Sequence, residues 1–169
     1  MLEIERKFIM TGFPEEILGT EEYHELGMEL LREVEIEQGY ISIEPEVRLH
    51  GATDTFTQEE DFRLTLKGNG DLTRTELITD VSKEFYTEAK KMLPGEMIHK
   101  IYRKYQFGEL LLEVCHVDAG TENEFYYGEI EFNSEKEAKV FVAPKWLGEE
   151  VTFDNNYKMK NYWKKTRLK

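Results

Sequence analysis

Residues 2–9 read Leu2-Glu3-Ile4-Glu5-Arg6-Lys7-Phe8-Ile9. Alternation with period two is the signature of a β-strand, in which every second side chain shares a face. Glu3, Glu5 and Lys7 therefore fall on one side, and Leu2, Ile4 and Phe8 on the other with Arg6. The same alternation recurs at 35–43 (EIEQGYISI), 46–50 (EVRLH), 61–68 (DFRLTLKG), 73–80 (TRTELITD), 98–107 (IHKIYRKYQF), 109–117 (ELLLEVCHV) and 126–132 (YYGEIEF). LTLK-GNGDL-TRTEL and KYQF-GE-LLLEV read as hairpins. Eight strands with few helices predict a mostly β chain: an antiparallel sheet closed into a barrel or folded into a sandwich, with flanking helices.

Three helices are expected. One covers Pro14 to Leu31, despite Gly19 and Gly27. The second follows Ser82 as cap and stops at Pro94-Gly95, and the third follows Ser134 and stops at Pro144. Residues 51–60 and 67–71 read as loops.

The charged faces carry the functional signal. Arg48 and His50 share a face opposite Val47 and Leu49; Arg63, Thr65 and Lys67 lie opposite Phe62, Leu64 and Leu66. Arg74 and Glu76 lie opposite Leu77, and Glu129 and Glu131 opposite Ile130 and Phe132. An open sheet would turn such a face to water. Two features favour a closed barrel with an ionic lumen instead. The polar faces hold few neutral residues, and like charges recur on one face, as in Glu3/Glu5 and Glu129/Glu131. Neighbouring carboxylates repel, and a hard divalent cation converts that repulsion into affinity. A lumen of carboxylates and Lys/Arg suits a polyanion arriving with Mg²⁺ or Mn²⁺, such as a triphosphate.

Composition bounds the rest. The 169 residues include 22 Lys+Arg against 35 Asp+Glu, a net charge of −13, and one cysteine, Cys115. Residues 1–169 are expected to form one domain. A lone cysteine excludes an internal disulfide framework and fits a reducing compartment. The acidic balance argues against nucleic-acid binding, no apolar run reaches bilayer length, and no signal peptide is visible, so a cytoplasmic protein is expected. A basic tunnel still attracts an anion, because its local field outweighs distant, screened surface charge.

The motifs resemble those of the CYTH superfamily, the triphosphate tunnel metalloenzymes. Glu3-Ile4-Glu5-Arg6-Lys7 resembles the N-terminal E-x-E-x-K, Gln38-Gly39-Tyr40-Ile41 the Q-G-Y-L, and Val47-Arg48-Leu49-His50 the V-R-x-R. Leu64-Thr65-Leu66-Lys67-Gly68 resembles L-T-x-K-G, Arg74-Thr75-Glu76 the R-x-E-x-E strand, and Glu129-Ile130-Glu131 the late E-x-E. Trp146-Leu147-Gly148, Glu150-Val151-Thr152 and Tyr157 resemble the W-L-G-x-E-V-T…Y segment. The resemblance implies an eight-stranded antiparallel barrel forming a tunnel. It implies metal-dependent hydrolysis of inorganic, thiamine or nucleoside triphosphate, or class IV adenylyl cyclisation, with Mg²⁺ or Mn²⁺. The substrate is a small molecule, and the chain a monomer or homodimer.

By position, the resemblance makes Glu3, Glu5, Glu129 and Glu131 metal-side carboxylates, with Glu5 and Lys7 catalytic. Lys7, Arg48, His50, Lys67, Arg74, Lys100 and Arg103 become triphosphate contacts, and Glu76 and Glu113 lumen carboxylates. His50 stands where a second Arg is usual, Ile78 where a second Glu is, and Cys115 where an Asp is. Tyr102 occupies an Arg position, so Arg103 serves only if a bulge turns it inward. These departures keep a third reading open, a tunnel that binds polyphosphate or nucleotide without turnover. Residues 158–169 (KMKNYWKKTRLK) carry six basic residues and no acidic one, and read as a basic C-terminal helix that is either solvated or covers one tunnel mouth and attracts substrate.

Overall fold

The computed structural model describes residues 1–168, so Lys169 and the last position of the expected basic helix lie outside the described residues. Nine strands form: β1 (Leu2–Met10), β2 (Glu29–Ser42), β3 (Glu46–Asp54), β4 (Glu60–Lys67), β5 (Thr73–Asp80), β6 (Ile98–Phe107), β7 (Leu110–Val117), β8 (Phe125–Glu131) and the two-residue β9 (Glu149–Glu150). Eight of them pair antiparallel in the order β5-β4-β3-β2-β6-β7-β8-β1, and β1 meets β5 to close the ring. That closure joins Leu2 to Thr75, Glu3 to Arg74 and Ile4 to Thr73. β9 adds to β1 beyond β5, through Phe8 and Glu150. The chain is thus mostly β, an eight-stranded closed antiparallel barrel with one extra strand.

Among the described residues five α-helices flank the barrel: α1 (Pro14–Leu18), α2 (Thr20–Glu25), α3 (Lys83–Lys91), α4 (Glu135–Val140) and α5 (Met159–Arg167). The Ser82 hydroxyl accepts from the Phe85 N–H at 3.0 Å, and Ser134 accepts from Glu137 N–H at 3.1 Å, so both caps form as the residue types predict. The helix expected over residues 14–31 does not form as one piece. It breaks at Gly19 (φ 80°) into α1 and α2, and Leu30 and Leu31 lie in β2. Their helical spacing is coincidental: a register shift between Leu30 and Arg32 disturbs the strand's strict alternation. The expected loop at 51–60 shrinks to five residues, since β3 runs on to Asp54. The Asp54 carboxylate stops the strand there by accepting from the Phe56 and Thr57 N–H groups at 2.8 and 3.1 Å.

The polarity of the barrel is inverted. Its apolar clusters lie on the outer wall and at one end. Phe8, Met10, Tyr105, Leu112, Val114 and Ile130 are buried outside the β1/β6/β7/β8 wall, under α1, α2 and α4. Leu49 packs under Tyr86 and Ala89 of α3. Gly51 permits that contact, because a Cβ there would sit 2.6 Å from the Tyr86 ring. The third cluster closes one end: Trp163 of α5 is 1% exposed and packs on Tyr40 and Ile98, while Met159 lines the cavity. Arg167 clamps α5 to the barrel through a bidentate pair with Asp118 at 2.7 and 2.8 Å. Among the described residues no helix is long and apolar enough to cross a membrane.

Candidate active site

The lumen is a cavity of about 300 Å³, within the range of small-ligand sites. Alternation aims Glu3, Glu5 and Lys7 of β1 into it. Arg48 and His50 of β3, Lys67 of β4, Arg74 and Glu76 of β5, Lys100 of β6, Glu113 of β7 and Glu129 and Glu131 of β8 join them. Twelve of the thirteen residues singled out in the sequence thus share one cavity.

Arg103 does not. β6 pairs with β7 in unbroken register from Lys100 to Phe107, so no bulge turns Arg103 inward. It points outward, donates to Glu33 at 2.7 Å, pairs with Glu15, and lies over the Phe13 ring at 4.0 Å. Its expected role as a phosphate contact is therefore corrected to fastening α1 to the wall. Arg103→Ala is expected to leave KM within about twofold of wild type and to destabilise the fold by about 1–3 kcal/mol. Steady-state kinetics and a denaturant melt check both.

Ion pairs line the lumen between adjacent and next-but-one strands. Lys67 Nζ lies 3.0 Å from Glu3 and 3.1 Å from Glu76. Arg74 lies 3.4 Å from Glu3 and 3.5 Å from Glu46, which Lys160 of α5 also approaches at 3.8 Å. Lys7 Nζ donates to the Tyr157 carbonyl at 2.6 Å and sits over the Tyr127 ring, 4.1 Å from its centre. Lys100 Nζ donates to Tyr127 Oη at 2.7 Å. The Arg48 Nε is buried with no partner among the described residues, and Gln38 Oε1 is likewise alone. Glu113 and Glu131 stand at the more open end, where Glu113 meets Tyr102 and, at 3.9 Å, Lys104. Glu46 and Tyr127 were not singled out in the sequence, though parity places Glu46 beside Arg48 and Tyr127 beside Glu129.

The carboxylates interact closely enough to share protons. Glu3 is pushed up to about 7 by burial, which Lys67 only partly offsets and Glu76 and Glu129 reinforce. Glu5 is raised well above the usual carboxylate range by burial and by the neighbouring Glu129, to which it is hydrogen-bonded. Burial also acts on Glu129, but the hydrogen bond from Glu5 and the charges of Lys7, Lys67 and Lys100 hold it below the usual carboxylate range. Glu5 and Glu129 together therefore hold one proton. Burial lowers Lys7 against the pull of Glu129 and Glu5; burial, Arg48 and Lys7 drop Lys100 to about 8. His50 is held well below its usual value by burial and by Arg48, Lys100, Arg63 and Arg32.

Among the described residues, no three Asp, Glu, His or Cys side chains converge as a preformed metal cage. The donor set nonetheless fits Mg²⁺ or Mn²⁺. It is all oxygen, centred on the Glu5/Glu129 pair, and Mg²⁺ ordinarily takes one or two carboxylates and completes its shell with water and phosphate. Raised carboxyl pKa values also set a sign. A folded-state pKa above the unfolded one adds stability at pH below about 4.5, which fades as pH climbs through the folded value. Glu3 thus costs stability as pH rises towards about 7, and Glu5, raised by the same burial, acts with the same sign. Millimolar Mg²⁺ is expected to raise Tm clearly at about pH 8 and little at about pH 5, where the protons hold those sites. Equal shifts at both values in a thermal melt would contradict this.

No family model matches the sequence. A Nitrosomonas europaea protein named inorganic triphosphatase is 31% identical over 165 residues, which cover 95% of this chain and 95% of that one. A solved structure described as an inorganic triphosphatase is 27% identical, covers 95% of this chain and 93% of its own, and superposes with a TM-score of 0.61. A Pyrococcus horikoshii protein is alike in fold alone, at 18% identity, 80% coverage of each chain and a TM-score of 0.56. The full-length relationship and a closed barrel with its charges turned inward lead to the same place: the chain belongs to the CYTH superfamily of triphosphate tunnel metalloenzymes.

Proposed function

We propose that this protein hydrolyses a triphosphate inside the barrel, with Mg²⁺ or Mn²⁺ as cofactor. The observation that carries the reading is the convergence of Lys7, Arg48, Lys67, Arg74 and Lys100 within one cavity beside the Glu5/Glu129 pair. Only a polyanion gives five enclosed cations a common partner. The similarity to an inorganic triphosphatase along the whole chain points the same way.

Arg48, Lys67 and Arg74 grip the phosphate chain, and Lys100 reaches it from β6. Glu5 and Glu129, with Glu3 and Glu131 on the same face, would hold the cation. Bound there, the cation supplies neutralisation of charge on the phosphate oxygens. Lys7 orients a water for in-line attack on the terminal phosphorus. A lumen carboxylate accepts the water's proton, and the shortened phosphate chain departs held by the arginines. The partner is a small molecule, with no nucleic acid or membrane; the chain acts in the cytoplasm as monomer or homodimer.

A phosphate-release panel with tripolyphosphate, thiamine triphosphate and ATP, each with Mg²⁺, Mn²⁺ or EDTA, tests the reading. Metal-dependent phosphate release from at least one substrate is expected. Cyclic AMP from ATP would move the assignment to cyclisation, and binding of tripolyphosphate without any turnover would move it to a binding tunnel.

A further inference from the structure

Two ammonium groups stand in the lumen, those of Lys7 and Lys100, and each lacks a carboxylate within ion-pair distance among the described residues. Like charges in a low-dielectric enclosure repel and draw their flexible stems apart unless something holds them. One side chain touches both. Tyr127 of β8 is 2% exposed, and its ring face lies 4.1 Å from Lys7 Nζ while its hydroxyl oxygen accepts from Lys100 Nζ at 2.7 Å. Cys115 of β7 stands directly opposite Tyr127 in the β7–β8 pairing and is buried with it. The ring therefore meets both ammonium groups at once: a cation lies on its face and a donor reaches its oxygen.

We propose that Tyr127 is a positioning residue for the substrate, its ring face holding Lys7 and its hydroxyl holding Lys100 so that both ammonium groups are aimed at the polyphosphate before it arrives. This rests on the triphosphatase reading. Pre-aimed cations spare the ordering of two long side chains on binding, so the loss of Tyr127 is felt first in KM. The two halves separate by substitution. Tyr127→Phe keeps the ring face for Lys7 and removes the oxygen that holds Lys100. Tyr127→Leu removes both.

The test measures phosphate release from tripolyphosphate, with thermal melts, for wild type, Tyr127→Phe, Tyr127→Leu, Lys100→Met and the Tyr127→Phe/Lys100→Met double variant. Tyr127→Phe is expected to raise KM about tenfold with kcat within about twofold of wild type. In the Lys100→Met background the same change is expected to add nothing, because Tyr127 acts there through Lys100. Tyr127→Leu is expected to raise KM further and to lower kcat as Lys7 loses its platform. A wild-type KM in Tyr127→Phe, or multiplied effects in the double variant, would overturn the proposal, as would equal behaviour of the Phe and Leu variants. Should Tyr127→Leu fail to fold, the Phe variant and the double variant decide alone. Should wild type release no phosphate at all, the triphosphatase reading fails by itself. The same ratios are then read as tripolyphosphate dissociation constants by calorimetry, and unchanged binding in Tyr127→Phe overturns the positioning role.

Discussion

Glu5→Ala is expected to cut phosphate release by roughly a hundred- to a thousandfold, with Tm unchanged or higher. The two effects have one cause. Glu5 is buried against Glu129, and their mutual repulsion together with desolvation raises its pKa. A folded chain gains nothing from holding two carboxyl groups there, so removing one relieves the fold. The chemistry loses half of the pair that would hold the cation. Phosphate release at saturating Mg²⁺ or Mn²⁺, with a melt on the same sample, checks both parts. A near-normal kcat would remove Glu5 from the machinery, and a large drop in Tm would recast it as a structural residue.

Arg48→Met is expected to raise KM by about ten- to a hundredfold and to stabilise the protein measured without substrate. Arg48 is enclosed in the lumen, and its Nε has no partner among the described residues. A buried guanidinium that lacks part of its hydrogen bonding is a cost to the fold, and a Met of similar length removes it. The gain in Tm is expected to be about 2–4 °C for each kcal/mol recovered in a chain of this size. The substrate would supply the missing acceptor, so the loss falls on binding. An unchanged KM, or a lower Tm, would place Arg48 among the structural ion pairs instead.

Much of this was legible along the chain because strand alternation is local. LEIERKFI alone separates Glu3, Glu5 and Lys7 from Leu2, Ile4 and Phe8, and all three charged residues line the cavity. Closure was less legible, since it depends on Leu2–Ile4 meeting Thr73–Thr75, some seventy residues away. The same distance hid the ion pairs: nothing near Glu3 in sequence indicates that Lys67 and Arg74 will hold it. Arg103 was misplaced when motif spacing was set above parity. Tyr102 and Arg103 alternate across the wall, and parity alone sends Arg103 outward to Glu15 and Glu33. Leu30 and Leu31 misled because a shifted register imitates helical spacing. Tyr127 went unnoticed because an aromatic residue in a strand reads as packing; only coordinates place two ammonium groups on it. The basic tail folds as α5, with Met159 lining the cavity and Arg167 committed to Asp118, so truncating it would test packing as much as charge.

The most direct measurement is a crystal structure of the protein with tripolyphosphate. The account predicts the phosphate chain inside the barrel, its oxygens on Arg48, Lys67, Arg74 and Lys100 and its terminal phosphorus facing Lys7 and the Glu5/Glu129 pair. Tripolyphosphate bound only on the outer surface, with the lumen charges still paired among themselves, would contradict it.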